Sequence, residues 1–179
     1  MKKFLSVMII AAMVLTLAAC GAKNEKNDTG APAEKEEFAG MANPMAESTP
    51  EEIFEKLGVR FRVPDGVEDA KYFIINGKTA EMQFTNEGTN YCARIEKAEE
   101  FTDISGMNYE WTRTDNYEID SAVAKISTVH GDDEAGVCLW YIEDAKLMYS
   151  VSATGKISSG GMIFNMANDV YEATNGRAE

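Results

Sequence analysis

Three cysteines, one histidine and 30 carboxylates are the side chains of this 179-residue chain with the widest chemical reach. Cys20 closes Leu17-Ala18-Ala19-Cys20, after an apolar run from Phe4 to Ala19 led by Lys2 and Lys3. Positive charge held inside while an apolar run enters the membrane is the physical logic of an export signal. A cysteine just past the small residues is placed to become a lipid-modified N-terminus. The expectation is cleavage after Ala19 and a mature chain anchored by lipid on Cys20 at the extracytoplasmic face of the cell membrane. The run is shorter than the roughly 20 apolar residues that span a bilayer. Two or more acyl chains on one cysteine hold firmly where a single chain binds only marginally. The competing reading is a plain secretory peptide with Cys20 there by chance.

Two thiols then remain, Cys92 and Cys138. An exported location permits a disulfide between them. Both fall in strand patterns, however, where free cysteine behaves as a small apolar residue. With the single His130 they lack the close ligand pairs of a zinc site. The acidic turn Gly131-Asp132-Asp133-Glu134 beside His130 is the most site-like cluster, since Asp132, Asp133 and Glu134 offer oxygen ligands for a weak calcium site outside the cell. An acidic hairpin is equally an ordinary solvated turn.

Catalytic patterns are scarce. There is one histidine, no Gly-x-Ser-x-Gly elbow and no His-Glu-x-x-His pair. Thirty carboxylates make some pair inevitable, so their number is no evidence for acid-base chemistry. Trp111, Trp140, Tyr109, Tyr141 and Tyr149 could line a groove, although aromatics at strand spacing belong more often to a core. Gly160 and Gly161 could bare amides to an anion, but no phosphate loop accompanies them.

The formal charge of −13 becomes −15 when Lys2 and Lys3 leave with residues 1–19. Such a field repels nucleic acid and anionic head groups and also serves solubility. No nucleic-acid partner and no cofactor is expected.

The elements that must position these residues start after a polar stretch. Residues 20–44 hold little that can be buried and read as a disordered tether. Residues 45–174 read as a single globular domain, and 175–179 as a frayed tail. Thr49-Pro50-Glu51-Glu52 has the cap, N1 proline and capping-box spacing of a helix start, Ile53, Phe54 and Leu57 give it a face, and Gly58 stops it. Val59, Phe61 and Val63 alternate with Arg60 and Arg62 as an edge strand would. Asn76-Gly77 between Lys71–Ile75 and Lys78–Thr85 signals a tight hairpin. A third strand carries Tyr91, Ala93 and Ile95, completing a meander. Past a loop at Asp103-Ile104-Ser105-Gly106, Thr114-Asp115-Asn116 reads as a turn and Tyr117–Val129 as one long strand whose register stays open. Val137–Ile142 and Lys146–Ala153 complete a second meander. Ser158 or Ser159 then caps a helix with Ile163, Met166, Ala167, Val170 and Tyr171 on one face, ended by Asn175-Gly176. The fold class is α+β: an antiparallel, meander-like sheet of about six to eight strands, with a short N-terminal helix and a C-terminal helix packed on one face.

Asn43-Pro44, Thr49-Pro50-Glu51-Glu52, Gly58, Val63-Pro64, Asp103-Ile104-Ser105-Gly106 and Trp140 ahead of the Tyr149 strand occur in an order that resembles a family of uncharacterised domains. That family is found in Gram-positive lipoproteins and in the extracytoplasmic parts of some anti-sigma factors. The resemblance covers roughly Asn43 to Tyr171 and brings no catalytic residues with it. The sigma-binding region and spanning helix of the anti-sigma members have no counterpart here, so that role does not carry over.

The resulting expectation is a non-catalytic module that binds a small ligand or an envelope protein. The alternatives are an envelope hydrolase using carboxylates and a calcium-stabilised structural domain.

Overall fold

A computed structural model describes residues 44–131 and 134–176, which belong to one compact unit, Ala39–Glu179. In chain order the elements are β1 (Met45–Ser48), α1 (Pro50–Leu57), β2 (Glu68–Ile75), β3 (Thr79–Asn86), β4 (Thr89–Lys97), β5 (Arg113–Ile119), β6 (Ala122–Val129), β7 (Ala135–Ile142), β8 (Leu147–Thr154) and α2 (Gly160–Asn175). All eight strands lie in one antiparallel sheet, ordered β1-β2-β3-β4-β8-β7-β6-β5. It is an α+β fold of two four-strand meanders that run inward from opposite edges and meet where β4 pairs β8.

Local chemistry explains most of the boundaries. Thr49 accepts a hydrogen bond from the Glu52 amide at 3.2 Å and Pro50 opens α1. Glu52 returns the contact through the Ser48 hydroxyl, which donates to its Oε2 at 2.9 Å. Gly58 ends α1 at φ 69°, with its amide on the Phe54 carbonyl. Asn76 and Gly77 are both at positive φ in the β2–β3 turn, as are Glu87 and Gly88 between β3 and β4; this is the backbone that fits the twist of a tight hairpin.

Three sequence expectations change. Val59 and Phe61 are buried between exposed Arg60 and Arg62, yet the segment joins no ladder. Its alternation comes from lying extended against the core, and the edge position goes to β1, which pairs Met45 with Ile75 and Ser48 with Tyr72. Thr114-Asp115-Asn116 is no turn but the middle of β5. The long strand Tyr117–Val129 is instead the β5–β6 hairpin, bent at Asp120, which takes φ 54°. Two strands packed on a single core explain why both parities carried apolar residues.

Strand alternation divides the sheet into two unlike faces. On one, Met82, Ala93, Val151, Cys138 and Ile126 form the main core under α1 and α2. α2 buries Ile163, Met166, Ala167 and Val170 there, each large side chain contributing on the order of 1.5–3 kcal/mol. Gly136 lets the helix approach, since a Cβ on it would fall 2.8 Å from Ile163 Cγ1. On the other face, residues 98–112 cross beneath the sheet from β4 to β5 and bury Val137, Leu139 and Met148 against Ala98, Ile104, Trp111 and Tyr141. Among the described residues, no helix is long and apolar enough to cross a membrane.

Candidate functional site: a polar groove on the open face

The crossing segment covers only part of the second face. Beside it, over β2, β3, β4 and β8, lies a groove of about 660 Å³. Strand register brings its floor together from distant stretches of sequence. Lys71, Gln83, Cys92 and Ser152 fall in one row across four strands, and Thr85, Asn90 and Thr154 in the next. Met107 of the crossing segment forms one lip, and the β-bulge between Glu68 and Lys71, with Asp69 at φ 58°, lifts the other.

Next to Gln83 of the groove, one row along β3 and β4, lies a buried ion pair. Glu81 is 1% exposed, and its Oε2 accepts from Arg94 Nε at 2.6 Å while Oε1 accepts from Gln83 Nε2 at 2.6 Å. Arg94 Nη1 also donates to the Ile104 carbonyl at 2.9 Å. One guanidinium therefore ties the sheet to the crossing segment. Gly106 makes room for it: at φ 69°, a Cβ there would lie 2.6 Å from Arg94 Nη1. Asp103 steadies the same turn by accepting from the Ser105 amide and hydroxyl at 2.8 and 2.6 Å. A second carboxylate on this face, Glu96, is held by Lys78 and by the Thr79 hydroxyl.

The floor keeps hydrogen-bonding capacity in reserve. Thr85 donates to Asn90 Oδ1 at 2.9 Å, leaving both amide hydrogens of Asn90 without a partner among the described residues. Gln83 likewise keeps its carbonyl oxygen, and the Lys71 ammonium forms no ion pair there. Ser152 donates to the Cys92 carbonyl at 3.3 Å. Burial first, and the nearby Glu81 charge second, push the Cys92 thiol up to about 12. At neutral pH it is a thiol, not the thiolate that attacks electrophiles.

Cys92 and Cys138 are both free, which overturns the disulfide option. Cys92 is in register with Ser152 and Cys138 with Val151, consecutive residues of β8. Successive strand residues point to opposite faces, so the two thiols are separated by the sheet itself. The candidate metal residues Asp132 and Asp133 lie outside the described residues. Glu134 is engaged in a structural contact, its Oε2 accepting from the Ile157 amide at 3.1 Å. No group of three His, Cys, Asp or Glu able to hold a metal occurs among the described residues. Cys20 also lies outside them.

The five aromatics do not converge. Trp140 stacks on Tyr149 at 5.0 Å on the helix-covered face, whereas Trp111 and Tyr141 pack on the other and Tyr109 leans on Trp111 at 5.4 Å. Gly160 and Gly161 open α2, and a Cβ at Gly160 would meet Ile126 Cγ2 at 3.4 Å.

Sequence reasoning passed over Lys71, Gln83, Thr85, Asn90 and Ser152. A signal was there in the polar parity of each strand, Gln83 and Thr85 against Met82 and Phe84, Asn90 and Cys92 against Tyr91 and Ala93. Only strand adjacency turns those separate patterns into one surface. Comparisons with protein-family models, with curated proteins and with solved structures find no match to this chain. The resemblance described above therefore rests on its short motifs alone.

Proposed function

We propose that this chain is a lipid-anchored extracytoplasmic binding module that holds a small polar ligand in the groove over β3, β4 and β8, without transforming it. The observation that carries this reading is the unspent hydrogen-bonding capacity of Asn90, Gln83 and Lys71 on a floor of about 660 Å³. That volume is typical of ligand sites, but the lining is more polar than most. Each hydrogen bond exchanged with water contributes only about 0.5–1.5 kcal/mol, so specificity comes from the pattern of donors and acceptors. Binding without chemistry is favoured because the groove's thiol is held protonated and its lining carboxylates, Asp69 and Glu87, are exposed to solvent. The anchor rests on the Lys2–Cys20 pattern.

Amide-resolved NMR titration of the full chain in neutral detergent, with short peptides and disaccharides as probes, tests the groove. Perturbations should concentrate at residues 83–92 and 152–154 and vanish in Asn90→Leu. Perturbations mapping elsewhere, or none from any probe, would count against the reading. For the anchor, Cys20→Ser should release the protein from membranes or leave it unprocessed; normal processing with unchanged retention would sink the lipid assignment.

A further inference from the structure

With 30 acidic residues against 17 basic ones, a basic side chain in this protein finds a carboxylate easily. Among the described residues, the ion pairs engage Lys78, Arg94, Arg113 and Lys146. Arg60, Arg62 and Lys97 are in none of them, and these three belong to the helix-covered side, away from the polar groove. Arg60 and Arg62 point outward from the extended segment whose Val59 and Phe61 are buried. Lys97 ends β4 with its ammonium over Gly58, where a Cβ would sit 3.0 Å from Nζ. Between this segment and the end of α2 lies a cleft of about 370 Å³, lined by Gly58, Arg60, Arg62, Tyr149, Thr174 and Asn175 among others, with no acidic side chain in its wall.

The cleft is held in shape from both sides. The Arg62 amide donates to Thr174 Oγ1 at 3.5 Å, pinning the segment to α2. The Arg60 guanidinium lies 5.3 Å from the ring centroid of Phe54, which is outside the cleft wall, and the contact leaves its charge intact. Asn175 Nδ2 approaches Tyr149 Oη at 3.5 Å, so the phenol accepts there and keeps its own proton to donate. Burial raises the Tyr149 pKa, which preserves that donor. The C-terminal end of α2 opposes an anion with roughly half a negative charge. The full charges of Arg60 and Arg62 in the wall, with Lys97 beside Gly58, outweigh it.

We infer that this cleft binds a small, multiply charged oxyanion, a phosphate or a polycarboxylate, on the Arg60 and Arg62 guanidinium groups, with the Lys97 ammonium beside Gly58 adding to the local positive charge. Planar guanidinium forks match two oxygens at once, and a partly enclosed site strengthens such charge-assisted bonds. The volume suits a ligand at the small end of the usual range.

The test is calorimetric titration of the full chain with inorganic phosphate, with citrate and with phosphatidylglycerol vesicles, at low ionic strength. Arg62→Gln removes one fork while keeping the backbone bond to Thr174, and Lys125→Gln on the opposite face removes one charge as a control. Saturable binding of phosphate or citrate, weakened about tenfold or more by Arg62→Gln and unchanged by Lys125→Gln, supports the site; a tenfold loss corresponds to about 1.4 kcal/mol. A response to phosphate or to citrate identifies the oxyanion as a soluble phosphate or a polycarboxylate, whereas a response to vesicles alone, whose phosphodiester head groups carry a single charge, overturns the inference of a small, multiply charged ligand. Equal weakening by both variants would reduce the effect to diffuse electrostatics and overturn the inference. No binding of any probe at 10 mM, on the order of a 2.7 kcal/mol interaction, overturns it as well.

Discussion

Arg94 and Glu81 face each other across β3 and β4 at 2.6 Å, with Glu81 almost wholly buried, and the same guanidinium holds the Ile104 carbonyl of the crossing segment. Losing the cation leaves a buried carboxylate without its counter-charge and frees the segment that walls the polar groove. Arg94→Ala should therefore cost about 3 kcal/mol or more in urea denaturation. The double variant Glu81→Leu/Arg94→Met should recover much of that stability, because an apolar pair needs no desolvated charge. A double variant no more stable than Arg94→Ala would show that the pair itself, and not the orphaned charge, carries the effect.

Gly106 offers a second handle on the same clasp. Its positive φ and the 2.6 Å approach of Arg94 Nη1 leave no space for a side chain. Gly106→Ala should lower stability by about 1–2 kcal/mol and speed hydrogen exchange at Ile104–Met107 before it affects α2. Uniform acceleration across the domain would contradict a local clasp.

Close packing of α2 on β7 makes Gly136 sensitive to volume. A Cβ there meets Ile163 Cγ1 at 2.8 Å and Cδ1 at 3.2 Å, atoms in the middle of the core. Gly136→Ala should destabilise by about 1–3 kcal/mol and Gly136→Val by more. Pairing Gly136→Ala with Ile163→Val should restore part of the loss, read as a shift in denaturation midpoint.

The thiols predict a pH dependence. Burial pushes both Cys92 and Cys138 up to about 12 from an ordinary 9.0. Between those values the unfolded chain has released protons that the folded chain retains, so stability is whole below pH 9 and falls as pH rises toward 12. Cys138→Ala should flatten the decline between pH 8.5 and 10.5 relative to the parent. At pH 8 neither thiol should react with a maleimide in the native state, and both should react in denaturant; rapid native labelling of Cys138 would contradict its placement.

Much of the local structure was legible in the sequence because short-range chemistry determines it. The cap at Thr49 with Pro50, the left-handed stop at Gly58, the Asn76-Gly77 turn and the one-sided spacing of α2 all depend on residues within a few positions of each other. The α+β class and the two meanders follow from those units. The failures have a common cause. Val59 to Val63 alternates as a strand does, but alternation reports one buried side and not a hydrogen-bonded neighbour. Tyr117–Val129 lacked a strong turn residue at its bend, since Asp120 reaches positive φ without glycine's signature.

What the sequence by itself determined is therefore most of the local units: the start and stop of α1, the Asn76-Gly77 turn, the one-sided face of α2 and the α+β class. What only the tertiary structure decided is which strands are neighbours, and both candidate sites depend on that. Pairing β4 with β8 joins Asn90 to Thr154 and Cys92 to Ser152 across some 60 residues of chain, which makes a groove floor of separate polar stripes. The same pairing sets Cys92 and Cys138 on opposite faces and ends the prospect of a bridge. Docking of residues 58–62 against α2 sets Arg60 and Arg62 in the wall of one cleft, with the Lys97 ammonium beside Gly58. Side-chain parity is a local property, but adjacency is a balance of burial over the whole sheet, and no single stretch of the chain encodes it.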